Sequence, residues 1–386
     1  MAHSQTTGQV IEAVAELAGR IRDRGLEIEQ AGRVPPDIVA GLHQAGVFRL
    51  WLPAELGGFE ADPADVVTVV QALAEADGST GWCAATGVAS NVAGGLLPEP
   101  GARQVFRTGA ELCGGALMPG GRAVRQPDGS FVVDGQWSFG SGTLHCDWII
   151  GGAVVVDGAA PAGSAPAARA VVMPRAQIEF LDNWQVLGLS GTGSVDYRAT
   201  GITVPAEHTV DLANMVAWPA GAMWQIPLRS LLYPILGAVP LGIGRRAIAE
   251  LTELASARTR YGSARRLADR DVLQAELARA HALVGSGQAY LAASLHRLRE
   301  LADRGLVPGA GDRAMARLAA VHATEQAITA VQLCFRAAGT AGIASTSALQ
   351  RALRDVHTAG QHYALSGPGY ELAGRVLLGF DPDPML

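Results

Sequence analysis

The sequence predicts an α+β fold in three parts: an N-terminal helical domain over residues 1–112, a small central β-domain over 113–212, and a C-terminal four-helix bundle over 213–386. Three observations predict it. Apolar residues recur at helical spacing at both ends of the chain, whereas the middle alternates every second residue and is rich in glycine turns. The last part holds four long helical patterns with short connections, which argues for an antiparallel bundle. A chain of 386 residues is too long for one simple core, so two or three packed subdomains are expected.

In the first part, Ile11, Val14, Leu17 and Ile21 lie at helical spacing, and Arg33-Val34-Pro35-Pro36 breaks the pattern. A second helix over 37–45 ends at Gly46, and Leu56-Gly57-Gly58 is a loop. Asp62-Pro63-Ala64-Asp65 starts a third helix, with residues 66–74 as its apolar body. Asp77-Gly78-Ser79-Thr80 restarts a helix over 81–97 that carries no charge, which predicts burial. Leu97-Pro98-Glu99-Pro100 stops it.

The β-domain is densest over residues 131–152. Asp128-Gly129 and Asp134-Gly135 are hairpin-type turn dipeptides. Phe131-Val132-Val133 and Trp148-Ile149-Ile150 are β-prone runs that flank Ser138-Phe139-Gly140-Ser141-Gly142, a loop that no strand requires. Trp137 beside small hydroxyls and glycines suits a flat ring lying against backbone, and it equally suits a hairpin around a core tryptophan. Further strands are expected over 168–173, 184–189, 195–197 and 201–204, with the Ala/Pro/Gly segment 157–167 as a surface connection. Six or seven short strands with such turns suggest a compact barrel or sandwich.

The bundle candidates span 228–257, 271–304, 312–338 and 346–365. Gly305 is a stop after the second, Gly339-Thr340-Ala341-Gly342 is a break after the third, and Ser347-x-x-Gln350 has the form of a capping box before the fourth.

Composition excludes several functions. The net charge of −6 and the lack of a basic run argue against a nucleic-acid partner. Residues 1–17 lack a basic segment followed by an apolar one, so no secretory signal is expected there. The apolar stretch 230–244 contains Pro234 and Pro240 and falls short of the ~20 residues of a spanning helix, so no membrane partner is expected. Cys83, Cys113, Cys146 and Cys334 have no paired spacing, which suits reduced thiols and a cytoplasmic setting. The thirty basic residues are all arginine; without a lysine, Schiff-base chemistry and a Walker-A phosphate loop are excluded. His145-Cys146-Asp147 alternates faces and is not expected to hold a metal. Gly242-x-Gly244 follows no strand and is no dinucleotide fingerprint.

Several motifs then carry a resemblance. Trp184-Gln185-Val186-Leu187-Gly188-Leu189-Ser190-Gly191-Thr192-Gly193-Ser194 resembles a W-x-x-x-G-x-R-G-T-G-S segment, Thr203-Val204-Pro205 a strand ending in Val-Pro, and Arg351-x-x-Arg354-Asp355 an R-x-x-R-D helix motif. Together with the order of domains, these resemble the acyl-CoA dehydrogenase fold superfamily over essentially the whole chain. The resemblance implies an acyl-CoA dehydrogenase-like fold with a central small β-barrel domain, a flavin between β-domain and bundle, and a homotetramer or homodimer.

The departures from the dehydrogenase pattern are equally informative. Gly114–Gly121 replaces a T-E-P-x-x-G-S-D loop. The two places where those dehydrogenases carry a catalytic glutamate hold Gly244 and Gly360-Gln361-His362-Tyr363. Trp137-x-Phe139-x-Ser141-Gly142, Gly81-Trp82 after Asp-x-Ser-Thr, and a late bundle histidine resemble instead the two-component (group D) flavin-dependent monooxygenases. That branch takes reduced flavin (FMNH2 or FADH2) from a separate NAD(P)H-flavin reductase and reacts it with O2. A flavin C4a-hydroperoxide then hydroxylates a small, largely apolar or aromatic substrate. An FAD-dependent acyl-CoA dehydrogenase with a displaced base and a non-catalytic oligomer of the same fold are the competing readings.

By this resemblance Ser141, or else Ser138, bonds flavin N5, and Trp137 packs beside the ring unless it is a plain core residue. Thr192 and Ser194 bond the pyrimidine side, or form a simple turn, and Arg258 and Arg260 contact the flavin phosphate. Trp82 and Tyr233 line the substrate pocket. His357 and His362, on one helix and about 140° apart, compete to face the flavin; His362 fits a base that deprotonates or orients the substrate. Arg351 and Asp355, four apart, are read as a structural ion pair.

Overall fold

A computed structural model describes residues 6–156, 167–259 and 265–382. The first part is helical: α1 (Thr7–Asp23), α2 (Gly25–Ala31), α3 (Pro36–Gln44), α4 (Pro63–Ala76), α5 (Gly78–Asn91), α6 (Ala93–Leu96) and α7 (Glu99–Val105). Side-chain caps start α1, α4 and α5. Asp62 accepts the Ala64 N–H at 2.8 Å, and Asp77 accepts both the N–H and the hydroxyl of Thr80 at 2.7 and 2.8 Å. The uncharged 81–97 helix is buried as expected, but its chain breaks at Val92 and continues as the single turn α6.

Among the described residues seven strands follow: β1 (Cys113–Arg125), β2 (Phe131–Trp137), β3 (Trp148–Val156), β4 (Ala168–Pro174), β5 (Glu179–Phe180), β6 (Tyr197–Val204) and β7 (Thr209–Asp211). They form one mixed sheet in the order β5-β6-β2-β1-β3-β4-β7, in which only β1 and β3 run parallel. Of the two turn dipeptides, Asp128-Gly129 closes the β1–β2 hairpin, with Gly129 at φ +88° and Gln126 N–H bonded to Ser130 O. Asp134-Gly135 does not turn the chain. It lies inside β2, where the register against β6 shifts by a bulge and Asp134 accepts the Gly201 N–H. Of residues 195–197 only Tyr197 is in a strand, where it joins 201–204 in β6, and 184–189 is not a strand: Leu187 is exposed and its carbonyl is held by Arg354 of the bundle. The connection 157–167 lies, but for its last residue, outside the described residues.

The bundle comprises α8 (Leu228–Ala257), α9 (Asp271–Asp303), α10 (Ala310–Ala338) and α11 (Ala348–Ala359), with α12 (Pro368–Leu377) packed on α10. α8 carries Pro234 and Pro240 inside and is long and apolar enough to cross a membrane, contrary to the length expected of its apolar stretch; 83% of its most apolar window is buried within the protein. It is the central helix, touching α4, α5, α9, α10 and α11. Gly242 permits its close crossing with α4, because a Cβ there would lie 2.5 Å from Gln71 O.

α11 is shorter than the predicted 346–365 helix. It ends at Ala359, and residues 360–367 turn, so His362 stands in a loop and His357 on the helix. Ser347 caps α11 through the Leu349 N–H, but no capping box forms: Gln350 instead reaches Ser345 O and Arg354. Arg351 and Asp355 do not pair. Arg351 and Arg354 face Glu29 of α2, at 4.0 and 2.5 Å, and Asp355 accepts the Leu189 N–H at 2.6 Å.

Candidate active site

Two loops meet α5 where β-domain and bundle join. In the 138–142 loop, Phe139 has a left-handed φ of +63°; in the 189–194 loop, Leu189 has +54°. Such values in non-glycine residues cost energy and need surrounding structure to hold them. That structure is visible. Gly140 N–H bonds Val195 O and Gly142 N–H bonds Thr192 O, both at 3.0 Å, which zips the loops together. α11 then clamps the second loop: Arg354 donates to Leu187 O at 2.9 Å, Asp355 accepts from Leu189 N, and a Cβ on Gly188 would lie 2.3 Å from Arg354 O.

Between the loops runs a chain of side chains. Trp82 Nε1 on α5 donates to Ser141 Oγ at 3.1 Å, Ser141 Oγ meets Ser194 Oγ at 2.7 Å, and Ser194 Oγ meets Thr192 Oγ1 at 2.7 Å. Thr192 donates in turn to Leu189 O at 2.8 Å. Thr192 and Ser194 are buried and Ser141 is half-buried.

His362 lies edge-on to Trp82, with ring centroids 5.4 Å apart, and beside Tyr363 at 4.8 Å. Its Nδ1 accepts the Ala364 N–H at 3.2 Å, which leaves the proton of the neutral ring on Nε2. Desolvation, then the nearby Arg317 charge, pulls its pKa down to about 4. His362 is therefore a neutral hydrogen-bond donor at neutral pH. Behind it, the buried Arg317 guanidinium stacks over Tyr233 at 4.4 Å and Tyr363 at 5.8 Å and donates to Tyr363 O at 2.7 Å.

The fold thus gathers Trp82, Ser141, Thr192, Ser194 and His362, with Tyr233 one layer behind. It separates others. Trp137 is the core tryptophan: stacked on Tyr197 at 5.3 Å, it donates to Gly152 O at 2.8 Å and lies over Gly121, Gly135 and Gly151, so it has no face left for a flavin. Ser138 is exposed on the loop beside Phe139. His357 bonds Gln332 at 3.1 Å and lines a separate hollow of about 390 Å³ with Phe335, Arg336 and Arg354. Arg258 is exposed at the end of α8, and Arg260 lies outside the described residues.

Three contributors were not anticipated. Arg317 sits at helical spacing among Ala314, Ala320, Val321 and Thr324, all buried, and that spacing was the available signal. Asp355 and Tyr363 take their roles from partners far away in sequence, for which no local pattern exists.

Residues 4–104 match the acyl-CoA dehydrogenase N-terminal domain and residues 235–367 the acyl-CoA dehydrogenase C-terminal domain. The chain belongs to the acyl-CoA dehydrogenase fold superfamily. It is 28% identical to an indole-3-acetate monooxygenase of Pseudomonas putida, over 99% of this chain and 97% of that one. It is also 28% identical to the oxygenase subunit HsaA of a flavin-dependent monooxygenase of Mycobacterium tuberculosis, over 97% and 96%. The crystal structure of that HsaA superposes with a TM-score of 0.91 at 26% identity, covering 99% of this chain and all of the other. A Streptomyces protein, XiaF, solved with FADH2 and glycerol, superposes at 0.89 with 25% identity, over 97% and 96%.

The residues fit a flavin by the chemistry of their groups. Ser141 keeps one unused lone pair at a half-buried position between two glycines, and Trp184, whose ring meets Phe139 edge-on at 6.2 Å, has a buried indole N–H with no hydrogen-bond partner.

Proposed function

We propose that this chain is the oxygenase component of a two-component flavin-dependent monooxygenase. It takes FMNH2 or FADH2 from a separate NAD(P)H-flavin reductase and hydroxylates a small, largely apolar or aromatic substrate with O2. The observation that carries this reading is a neutral, donating His362 edge-on to Trp82, whose indole N–H reaches Ser141. An acyl-CoA dehydrogenase needs a carboxylate to remove the substrate α-proton, and both places where its relatives keep one are filled here by Gly244 and the His362 loop. The relatives named as monooxygenases point the same way.

When bound, reduced flavin supplies two electrons to O2, of which one atom enters the substrate and the other leaves as water. The protein's own groups do the rest. Ser141 holds the flavin edge through its free lone pair, and the clamped 189–194 loop keeps that serine in place. His362 offers Nε2–H to an oxygen of the substrate and orients it; the base role fits less well, because the nitrogen that would take a proton already accepts the Ala364 N–H. Trp82 and Tyr233 are buried and present apolar surface that excludes water. A homotetramer or homodimer belongs to the same proposal.

The test is reconstitution with an NAD(P)H-flavin reductase, FMN or FAD, ¹⁸O2 and a panel of phenols and indoles. Incorporation of one ¹⁸O atom per product supports the proposal. Tight, co-purifying FAD that is bleached by an acyl-CoA, with no oxygen incorporated, would establish the dehydrogenase instead.

A further inference from the structure

The hydrogen-bond chain at Ser141 has a direction, and counting protons gives it. Each hydroxyl owns one hydrogen. Thr192 spends its hydrogen on Leu189 O, so toward Ser194 it can only accept. Ser194 therefore donates to Thr192 and accepts from Ser141. Ser141 donates to Ser194 and accepts from Trp82 Nε1, which has no other role open to it. Every proton points from Trp82 toward Leu189 O. The anchor does not move freely, because the Leu189 backbone is held by Asp355 at 2.6 Å. The two inner hydroxyls are buried, so water does not readily reset the chain.

We infer that this polarity makes Ser141 a hydrogen-bond acceptor toward the flavin, and that Ser194 is the positioning residue that enforces it. The inference rests on the flavin reading above and deepens it. Ring nitrogen N5 carries a hydrogen in reduced flavin and a bare lone pair in oxidised flavin. An acceptor-only Ser141 matches the reduced ring and sets lone pair against lone pair with the oxidised one. The site so distinguishes the two redox states by a hydroxyl wired from two residues away, without a charge. Thr192 and Ser194 act through Ser141, and their own hydrogens are not available to a ligand.

Removing the Ser194 hydroxyl frees the Ser141 hydrogen to rotate outward and donate to oxidised N5. The experiment is anaerobic equilibrium titration of the purified protein with oxidised and with dithionite-reduced FMN and FAD, comparing wild type, Ser194→Ala, Ser194→Thr and Ser141→Ala. The wild type is expected to prefer the reduced form, and Ser194→Ala to shrink the oxidised-to-reduced Kd ratio about tenfold, the scale of one hydrogen bond. Most of that change should be tighter oxidised binding, which lost packing would not produce. Ser194→Thr, which keeps the hydroxyl, should restore the wild-type ratio. If Ser194→Ala does not fold, Thr192→Val carries the same test, since losing the terminal acceptor lets the chain reverse. A Ser194→Ala ratio within twofold of wild type, while Ser141→Ala changes it, would overturn the wiring and leave the flavin reading intact. Failure of the wild type to bind either redox form would overturn the flavin reading itself.

Discussion

At the scale of single residues, protonation state decides what the site can do. His362 has its pKa drawn down to about 4 by desolvation, so it stays neutral through the range in which an exposed histidine would titrate. Given saturating reduced flavin, the pH profile of kcat/KM should therefore show no histidine step between pH 6 and 7. His362→Asn should lower kcat by about a hundredfold, the scale of a substrate misplaced by about 1 Å when a positioning hydrogen bond is lost. The same shift has a stability consequence. The folded ring resists protonation while the unfolded one accepts it near 6.5, so stability is full above that value and is lost as pH falls toward about 4. The difference in urea unfolding midpoint between wild type and His362→Asn should be constant above pH 7 and should shift in favour of the variant as pH falls from 6 to 4. Trp137 teaches the opposite lesson about residue type: beside serines and glycines it suits a flavin wall, yet its ring lies over sheet glycines and packs on Tyr197.

At the scale of elements, α11 is the clamp. Arg354, Asp355 and the backbone near Gly188 join it to the loop that carries Thr192 and Ser194, while Arg351 and Arg354 face Glu29 of α2. Asp355→Ala should cost about 1–3 kcal/mol in urea unfolding, the penalty for leaving a buried N–H unpaired. Its carboxyl is pushed up to about 7, first by burial and then by the neighbouring Asp77, against the pull of the Leu189 N–H. Here the folded state holds the proton more tightly, so the stabilisation is present below pH 4 and is lost as pH rises toward 7, with a slope of ~1.4 kcal/mol per pH unit. Asp355→Asn should remove that slope, gaining on wild type across the same window. In the bundle, Gly242→Ala would press a methyl against Gln71 O at 2.5 Å, and thermal unfolding should show a loss of about 1–3 kcal/mol or more.

At the scale of the whole molecule, ligand and fold are linked. The proposed flavin site is assembled from α5, two β-domain loops and the turn after α11, so a ligand that binds only the assembled form stabilises all three parts together. Reduced FMN at a hundred times its Kd should add ~2.7 kcal/mol to unfolding measured anaerobically, and Ser141→Ala, losing a hydrogen bond worth about tenfold in Kd, should about halve the gain at the same concentration.

Much of this organisation was legible in the chain itself. Helical and alternating periodicities, Asp62 and Asp77 as caps, and the buried character of residues 81–97 all depend on neighbours within a few positions, where local sterics and hydrogen bonding act. The 138–142 loop with its serine was legible as a segment that no strand needs, and Thr192 and Ser194 stood out only through the resemblance of their segment to a family motif. What only the tertiary structure decided is their relation. Nothing local tells that Asp355 leaves Arg351 for a backbone N–H 166 residues away, that α11 stops early and puts His362 in a turn, or that Ser141, Ser194 and Thr192 share one directed chain. A residue's propensity is set by its own chemistry and nearest neighbours. A hydrogen bond's partner and direction are set by which distant groups the packed core brings within 3 Å, and that is where the candidate chemistry of this protein resides.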